Sequence, residues 1–198
     1  RAFVDPQVLL VMGITVFGPA AFFTSITYIA PMMIQEGGFS ASGVAWLMVL
    51  FGLGLAVGNG IGGRFADRSL FGTLFVTLAA QAIVLLVFWM GVNNQIVSAT
   101  CVFLMAAFGF ATVSPIQKLV MDRASQAGAP TMAASVNIGM FNLGNALCAW
   151  AGGATIAAGF GLASPNWAGA LLSVIALGLA VLAWQSARKG YVLQMEAD

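Results

Sequence analysis

Charge is almost absent from this chain, and what there is gathers in short patches. No charged side chain interrupts the sequence between Glu36 and Arg64, between Arg68 and Lys118, or between Arg123 and Arg188. Of the 198 residues, 7% are charged and 61% are hydrophobic. Soluble domains carry roughly 25% charge, so a soluble fold of this length could not cover itself. The uncharged runs are long enough to cross a bilayer as helices, which takes about 20 apolar residues each. They are continuous and lack the dyad alternation of a transmembrane barrel strand. The expected class is an all-α integral membrane protein.

Six stretches qualify as spans: 8–29, 44–62, 71–90, 96–116, 132–154 and 167–184, with a tail over 185–198. Their connections sort by charge. Arg64 and Arg68 fall between the second and third spans, and Lys118 and Arg123 between the fourth and fifth. Arg188 and Lys189 follow the sixth span, and Arg1 precedes the first. The opposite connections, near Gly37, Asn93 and Pro165, contain no Lys or Arg, and Glu36 is their only charge. An even number of spans puts both ends on one side, so all seven basic residues share a face. The positive-inside rule makes that face cytoplasmic. The expectation is a multi-pass protein of the inner or plasma membrane, with both ends of this segment in the cytoplasm. Residue 1 is Arg and no signal peptide precedes it, so the chain reads as a piece of a longer protein.

Reaction chemistry is sparse. There is no histidine, which removes the commonest metal ligand and proton shuttle. Cys101 and Cys148 sit inside apolar runs and read as packing residues. No HExxH, Walker-type loop, nucleophile elbow or pair of carboxylates at membrane depth occurs. No basic patch suits nucleic acid. Asp122, beside Arg123, reads as half of an ion pair in a loop. The chain is therefore expected to be no enzyme and to need neither cofactor nor metal. No span carries an Asp, Glu, Lys or Arg near its middle, where a proton-coupled carrier normally needs a titratable group. A proton site is expected upstream of residue 1.

Glycine is abundant, at 24 residues. Gly54, Gly58 and Gly62 repeat at the small-xxx-small spacing that lets helix backbones approach closely. A comparable run, Asn142-Leu143-Gly144-Asn145-Ala146, precedes Gly152-Gly153 in the fifth span. Both runs lie in the middle helix of a triplet, and triplets of three spans run in opposite directions. That is the expected trace of a 3+3 inverted repeat. Pro19 and Pro115 are expected to kink the first and fourth spans.

The stretch Gly63-Arg64-Phe65-Ala66-Asp67-Arg68, placed by the span count in a loop between second and third helices, resembles the Gly-x-Leu-Ala-Asp-Arg loop motif of the major facilitator superfamily. Phe65 replaces Leu, and Ser69-Leu70-Phe71-Gly72-Thr73 departs from the usual Gly-Arg-Arg/Lys. Thr27-Tyr28-Ile29-Ala30-Pro31 with Gly38-Phe39-Ser40 is similar to the seventh helix and following loop of the drug:proton antiporter and arabinose-efflux branch. Phe51-Gly52-x-Gly54 through Gly62-Gly63 resembles its eighth helix, and Asn137-x-Gly139 through Gly144-Asn145 its eleventh. The resemblance implies helices seven to twelve, half of a carrier whose two six-helix bundles rock about a central site. It implies proton-coupled efflux of drug-like compounds or sugars. Uptake by the same kind of carrier, and a self-contained six-helix scaffold or dimer, are the alternatives.

In that reading the partners are the lipid bilayer, a small-molecule substrate, protons and an N-terminal six-helix bundle. Gly63, Arg64, Asp67 and Arg68 form a conformational latch. A carboxylate such as Asp67 at a helix boundary can sit against a helix N-terminus of the partner bundle. The cavity is expected at Thr24 and Tyr28 in span one, Met105 and Phe108 in span four, and Asn137, Phe141 and Asn145 in span five. Gly54, Gly58, Gly62 and Gly144 are expected to pack helices. Asn59 and Gln81 are expected to bond neighbouring helices, as is Asn145 in the alternative to its cavity role.

Overall fold

The computed structural model describes residues 6–126 and 130–195, with side chains over 9–121 and 135–188. Arg1 and the side chains of Asp122, Arg123 and Lys189 lie outside the described residues. Every regular element among the described residues is helical.

The first span is not one helix. It runs as α1 (Pro6–Phe17), a 3-10 turn (Pro19–Phe22), α2 (Phe23–Ile26) and, after a turn at Thr27 and Tyr28, α3 (Ile29–Gln35). Pro19 has no N–H, so the α-helical ladder cannot continue through it. Gly18 N donates to Ile14 O at 2.8 Å, and Ala21 N then donates to Gly18 O at 3.2 Å in the tighter 3-10 register. Gly38, with φ of 67°, makes the turn into α4.

Helix α4 (Ala41–Arg68) begins at Ser40, whose Oγ accepts the Gly43 N–H at 3.1 Å. Contrary to the expectation of a loop, Gly63 to Arg68 form its last turns. The connection shrinks to Ser69, which caps both α4 and α5 (Leu70–Gly91). Its extended backbone, φ −156° and ψ 101°, ends one helix. Its Oγ accepts the Gly72 N–H at 3.3 Å to start the next, the usual role of an N-cap serine. Helices α6 (Gln95–Ala111) and α7 (Val113–Gln126) form one broken span with Thr112 between them. The break follows from Pro115, which cannot donate to Ala111 O, and Ile116 N reaches Thr112 O only at 3.3 Å. Helices α8 (Pro130–Ala157) and α9 (Ser164–Met195) complete the chain. The segment expected as a tail beyond residue 184 continues α9 as helix to Met195.

Five helical stretches are long and apolar enough to cross a membrane: Leu9–Ile26, Ala41–Arg68, Leu70–Gly91, Gln95–Met121 and Ser164–Arg188. Helix α8, at 28 residues, matches α4 in length, but Asn137, Asn142 and Asn145 interrupt its apolar surface.

Two apolar cores hold the bundle. One gathers Phe22, Met32, Leu47, Phe88, Val102 and Met105; the other gathers Ile14, Leu74, Leu78, Ile116, Ala176 and Ala180. Between them lies a polar layer. Gln81 and Ser173 are fully buried there, and neither has a hydrogen-bond partner among the described residues.

Backbone contact through glycine sets the pairing of the long helices. A Cβ on Gly54, Gly58 or Gly62 would overlap the carbonyl of Phe103, Ala107 or Ala111 respectively, so α4 lies directly on α6. The Ala111 carbonyl is the one that Pro115 leaves without its helical donor. On the other side, Gly144 lies against the Val16 carbonyl and Gly152 against the Thr24 carbonyl. In both pairs the residue numbers rise together, so the paired helices are parallel. Helix α5 packs along α9. Exchanging the α1–α3 stretch, α4 and α5 for the α6–α7 stretch, α8 and α9 turns the α4–α6 contact into the α8–α1 contact and leaves α5–α9 unchanged, as an inverted repeat requires.

Candidate functional site

Two groups of the expected site residues come together, and they lie on different faces. The first is at the Arg68 end of α4. Asp67 projects from its last turn, and Lys118 Nζ on α7 reaches Asp67 Oδ1 at 2.8 Å. The Asp67 side chain is 75% exposed and that of Lys118 42%, so this pair is weakly held, in the range of about 0–1 kcal/mol. Arg64 and Arg68 make no ion pair among the described residues. A Cβ at Gly63 would meet only Ser114 Oγ at 4.0 Å, ordinary contact. Lys118 served the topology but was not foreseen as the partner of Asp67. The readable signal was that the second and fourth spans end on the same face.

The second group follows the seam between span one and α8. Asn137, Phe141 and Asn145 recur every four residues and form one stripe on α8. At its lower end Thr15 Oγ1 donates to Asn137 Oδ1 at 2.8 Å. Further up, Asn145 Oδ1 is buried and has no hydrogen-bond partner among the described residues. At the top the Tyr28 hydroxyl donates to Ala149 O at 3.0 Å and covers Gly153. Thr15 was missed because its partner is 122 positions away; only shared depth in the membrane links them.

The remaining residues lie elsewhere. Thr24 is fully buried, its hydroxyl donating to Ala21 O at 2.7 Å in the preceding 3-10 turn, and it packs against Gly152 and Gly169. It does not share an open face with Tyr28, because the turn at Thr27 and Tyr28 breaks the four-residue spacing. Met105 is fully buried in a core. Phe108 lines a groove of about 410 Å³ between α4 and α5. Asn59 lies exposed on α4, and Gln81, expected to bond a neighbouring helix, has no partner among the described residues. At the opposite end, Glu36 Oε1 accepts the Leu162 N–H at 3.0 Å and ties the turn before α4 to the turn before α9. Among the described residues no cluster of His, Cys, Asp or Glu could hold a metal ion.

These helices are those of a membrane-embedded bundle, packed through glycine and carrying amides along one inner seam. No family model matches the chain. Curated relatives do. The inner membrane transport protein YdhP of Escherichia coli is 41% identical over 184 residues, 93% of this chain and 46% of YdhP. The chloramphenicol resistance protein of Streptomyces lividans is 33% identical over 176 residues, 87% of this chain and 43% of that protein. The uncharacterized MFS-type transporter YtbD of Bacillus subtilis is 32% identical over 172 residues, 86% of this chain and 43% of YtbD. The chain belongs to the major facilitator superfamily and spans about half the length of the curated relatives it matches.

Proposed function

We propose that this chain is the C-terminal six-helix half of an efflux carrier, with α8 as its fifth crossing and the Arg68 end in the cytoplasm. The carrier exchanges a drug-like compound or sugar for protons by alternating access. The names of the relatives support transport, and one of them concerns resistance to chloramphenicol. The observation that carries the reading is the bareness of α4 and α8. Each buries one glycine-centred stripe and leaves the opposite side uncovered. On α4 that side carries Gly52, Ala56, Asn59 and Gly60; on α8 it carries Gly139, Asn142 and Ala146. A Cβ on Gly52, Gly60 or Gly139 would meet nothing within 4 Å. Small residues favour close helix approach, so these faces suit a second bundle.

In this mechanism Asp67 alternates between two partners. Held by Lys118, it belongs to its own bundle. Released, it reaches a helix N-terminus of the other bundle, where a carboxylate gains about 0.3–1 kcal/mol. The weakness of the pair favours such switching. Asn145, whose carbonyl oxygen has no partner among the described residues, and Tyr28 are the proposed substrate contacts of the seam; the proton site lies in the other half.

The test is an export assay on the full-length protein in everted vesicles, across a compound panel, with and without a proton gradient. It is combined with cysteines at Gly60 and Gly139. Gradient-driven export of at least one compound, with crosslinks to the other half, is the expected result. Accumulation without a gradient, or crosslinks only to a second copy of the same chain, would overturn it.

A further inference from the structure

A groove opens between α4 and α5 on the outside of the described bundle, floored by Ala107, Phe108 and Ala111 of α6. It holds about 410 Å³, within the range of small-molecule sites. Gly58, Gly62 and Gly72 are part of its walls and bring no side chains to them. Ile61, Phe65, Val76, Ala107, Phe108 and Ala111 make it apolar. Its two threonines add no polar demand: Thr73 Oγ1 donates to Ser69 O at 2.7 Å, and Thr77 Oγ1 donates to Thr73 O at 2.8 Å.

Only one end is polar. Arg68 and Ser69 close it, beside the first turn of α5. There Ser69 satisfies the N–H groups of Gly72 and Thr73, while those of Leu70 and Phe71 have no acceptor among the described residues. Arg68 has no carboxylate partner among the described residues, and the nearest acid in sequence, Asp67, is held by Lys118. The charge left at this end is therefore positive. Along α4 the groove runs from Arg68 to Gly58, about 15 Å at 1.5 Å per residue, half of a hydrocarbon core about 30 Å thick.

We infer that this groove is a binding site for one anionic glycerophospholipid. Its phosphate diester lies against the Arg68 guanidinium and the first-turn N–H groups of α5, and one acyl chain runs between α4 and α5 to the bilayer midplane. The helix N-terminus favours the phosphate, and a basic pocket between membrane helices favours an anionic headgroup. An ethanolamine headgroup gains little here, because Asp67, which would face its ammonium, is already paired. The inference does not depend on what the protein transports.

The experiment uses the full-length protein stripped of lipid in mild detergent and titrated with phosphatidylglycerol or phosphatidylethanolamine of identical chains. Retained lipid is counted by native mass spectrometry. Phosphatidylglycerol should be preferred about fivefold, the effect of one basic group at the headgroup level. Arg68→Gln should abolish that preference. Val76→Trp, which fills the groove from an exposed position, should abolish retention, while Arg188→Gln, a basic residue on α9, should leave both intact. Equal retention of the two lipids, or a preference that survives Arg68→Gln, would overturn the assignment. So would a fluorophore on Val76→Cys that brominated lipid fails to quench, which would show the groove filled by a helix of the protein.

Discussion

Replacing Gly58 by alanine tests the bundle at its tightest point. The new Cβ would overlap the Ala107 carbonyl oxygen and lie 2.8 Å from both Ala107 C and Ala107 Cα. All three are backbone atoms, so no side chain can turn aside, and α4 and α6 must separate. Separation also loosens the flanking contacts at Gly54 and Gly62. Overpacking of this kind costs about 1–3 kcal/mol. Alanine's better helix propensity returns up to about 1 kcal/mol, which leaves a net loss of up to roughly 2 kcal/mol, centred near 1. Gly178 on α9 is the control, because a Cβ there meets nothing within 4 Å. Gly178→Ala should be neutral or gain up to about 1 kcal/mol. Thermal unfolding of the full-length protein in detergent measures both. At about 2–4 °C per kcal/mol for a unit of this size, the two variants should separate by several degrees, with Gly58→Ala the lower. Equal melting temperatures, or a Gly58→Ala protein at least as stable as wild type, would refute the close-approach reasoning.

Asp67→Asn should change stability by less than about 1 kcal/mol, since the pair is exposed, yet should shift the balance of inward- and outward-facing states. Unchanged transport and unchanged accessibility of both faces to a membrane-impermeant thiol reagent would sink the latch. Gln81→Leu should be neutral or stabilising by up to about 1 kcal/mol, because it removes two buried polar atoms that have no partner among the described residues; a melting temperature lower by several degrees would mean that the amide has a partner in the folded protein. Tyr28→Phe removes one interhelical hydrogen bond, worth about 0.6 kcal/mol on average. It should alter the ranking of exported compounds while leaving the amount of inserted protein unchanged; an unaltered ranking would remove Tyr28 from the cavity.

Much of the architecture was legible because lipid imposes a simple rule on sequence: backbone must be helical and charge must stay outside. The stretches expected over 44–62, 71–90, 132–154 and 167–184 each lie inside one helix, and Gly54, Gly58 and Gly62 announced a close contact through their spacing alone. What the spacing could not say was which helix they touch, since a small residue fits any backbone. The helix ends were less legible. Hydrophobicity stops near Gly63, but the backbone ladder continues through Arg64 to Arg68, whose side chains can reach water from a helix as easily as from a loop. The first span was the hardest. Its apolar run looks continuous, and Pro19 signals a break, but nothing in it marks the turn at Thr27 and Tyr28. That turn separates a fully buried Thr24 from Tyr28, so the expected shared face does not form. Lys118 and Thr15 escaped notice because their partners lie far away in sequence.

The one-residue joint at Ser69 has a mechanical consequence. Helices of 28 and 22 residues meet there with no slack between them. A turn of about 10° at Ser69 would move the far end of α5 by roughly 6 Å, since the helix is about 33 Å long at 1.5 Å per residue. Any swing of α4 must therefore either carry α5 and its neighbour α9 along as one lever, or be absorbed by two torsions of a single serine.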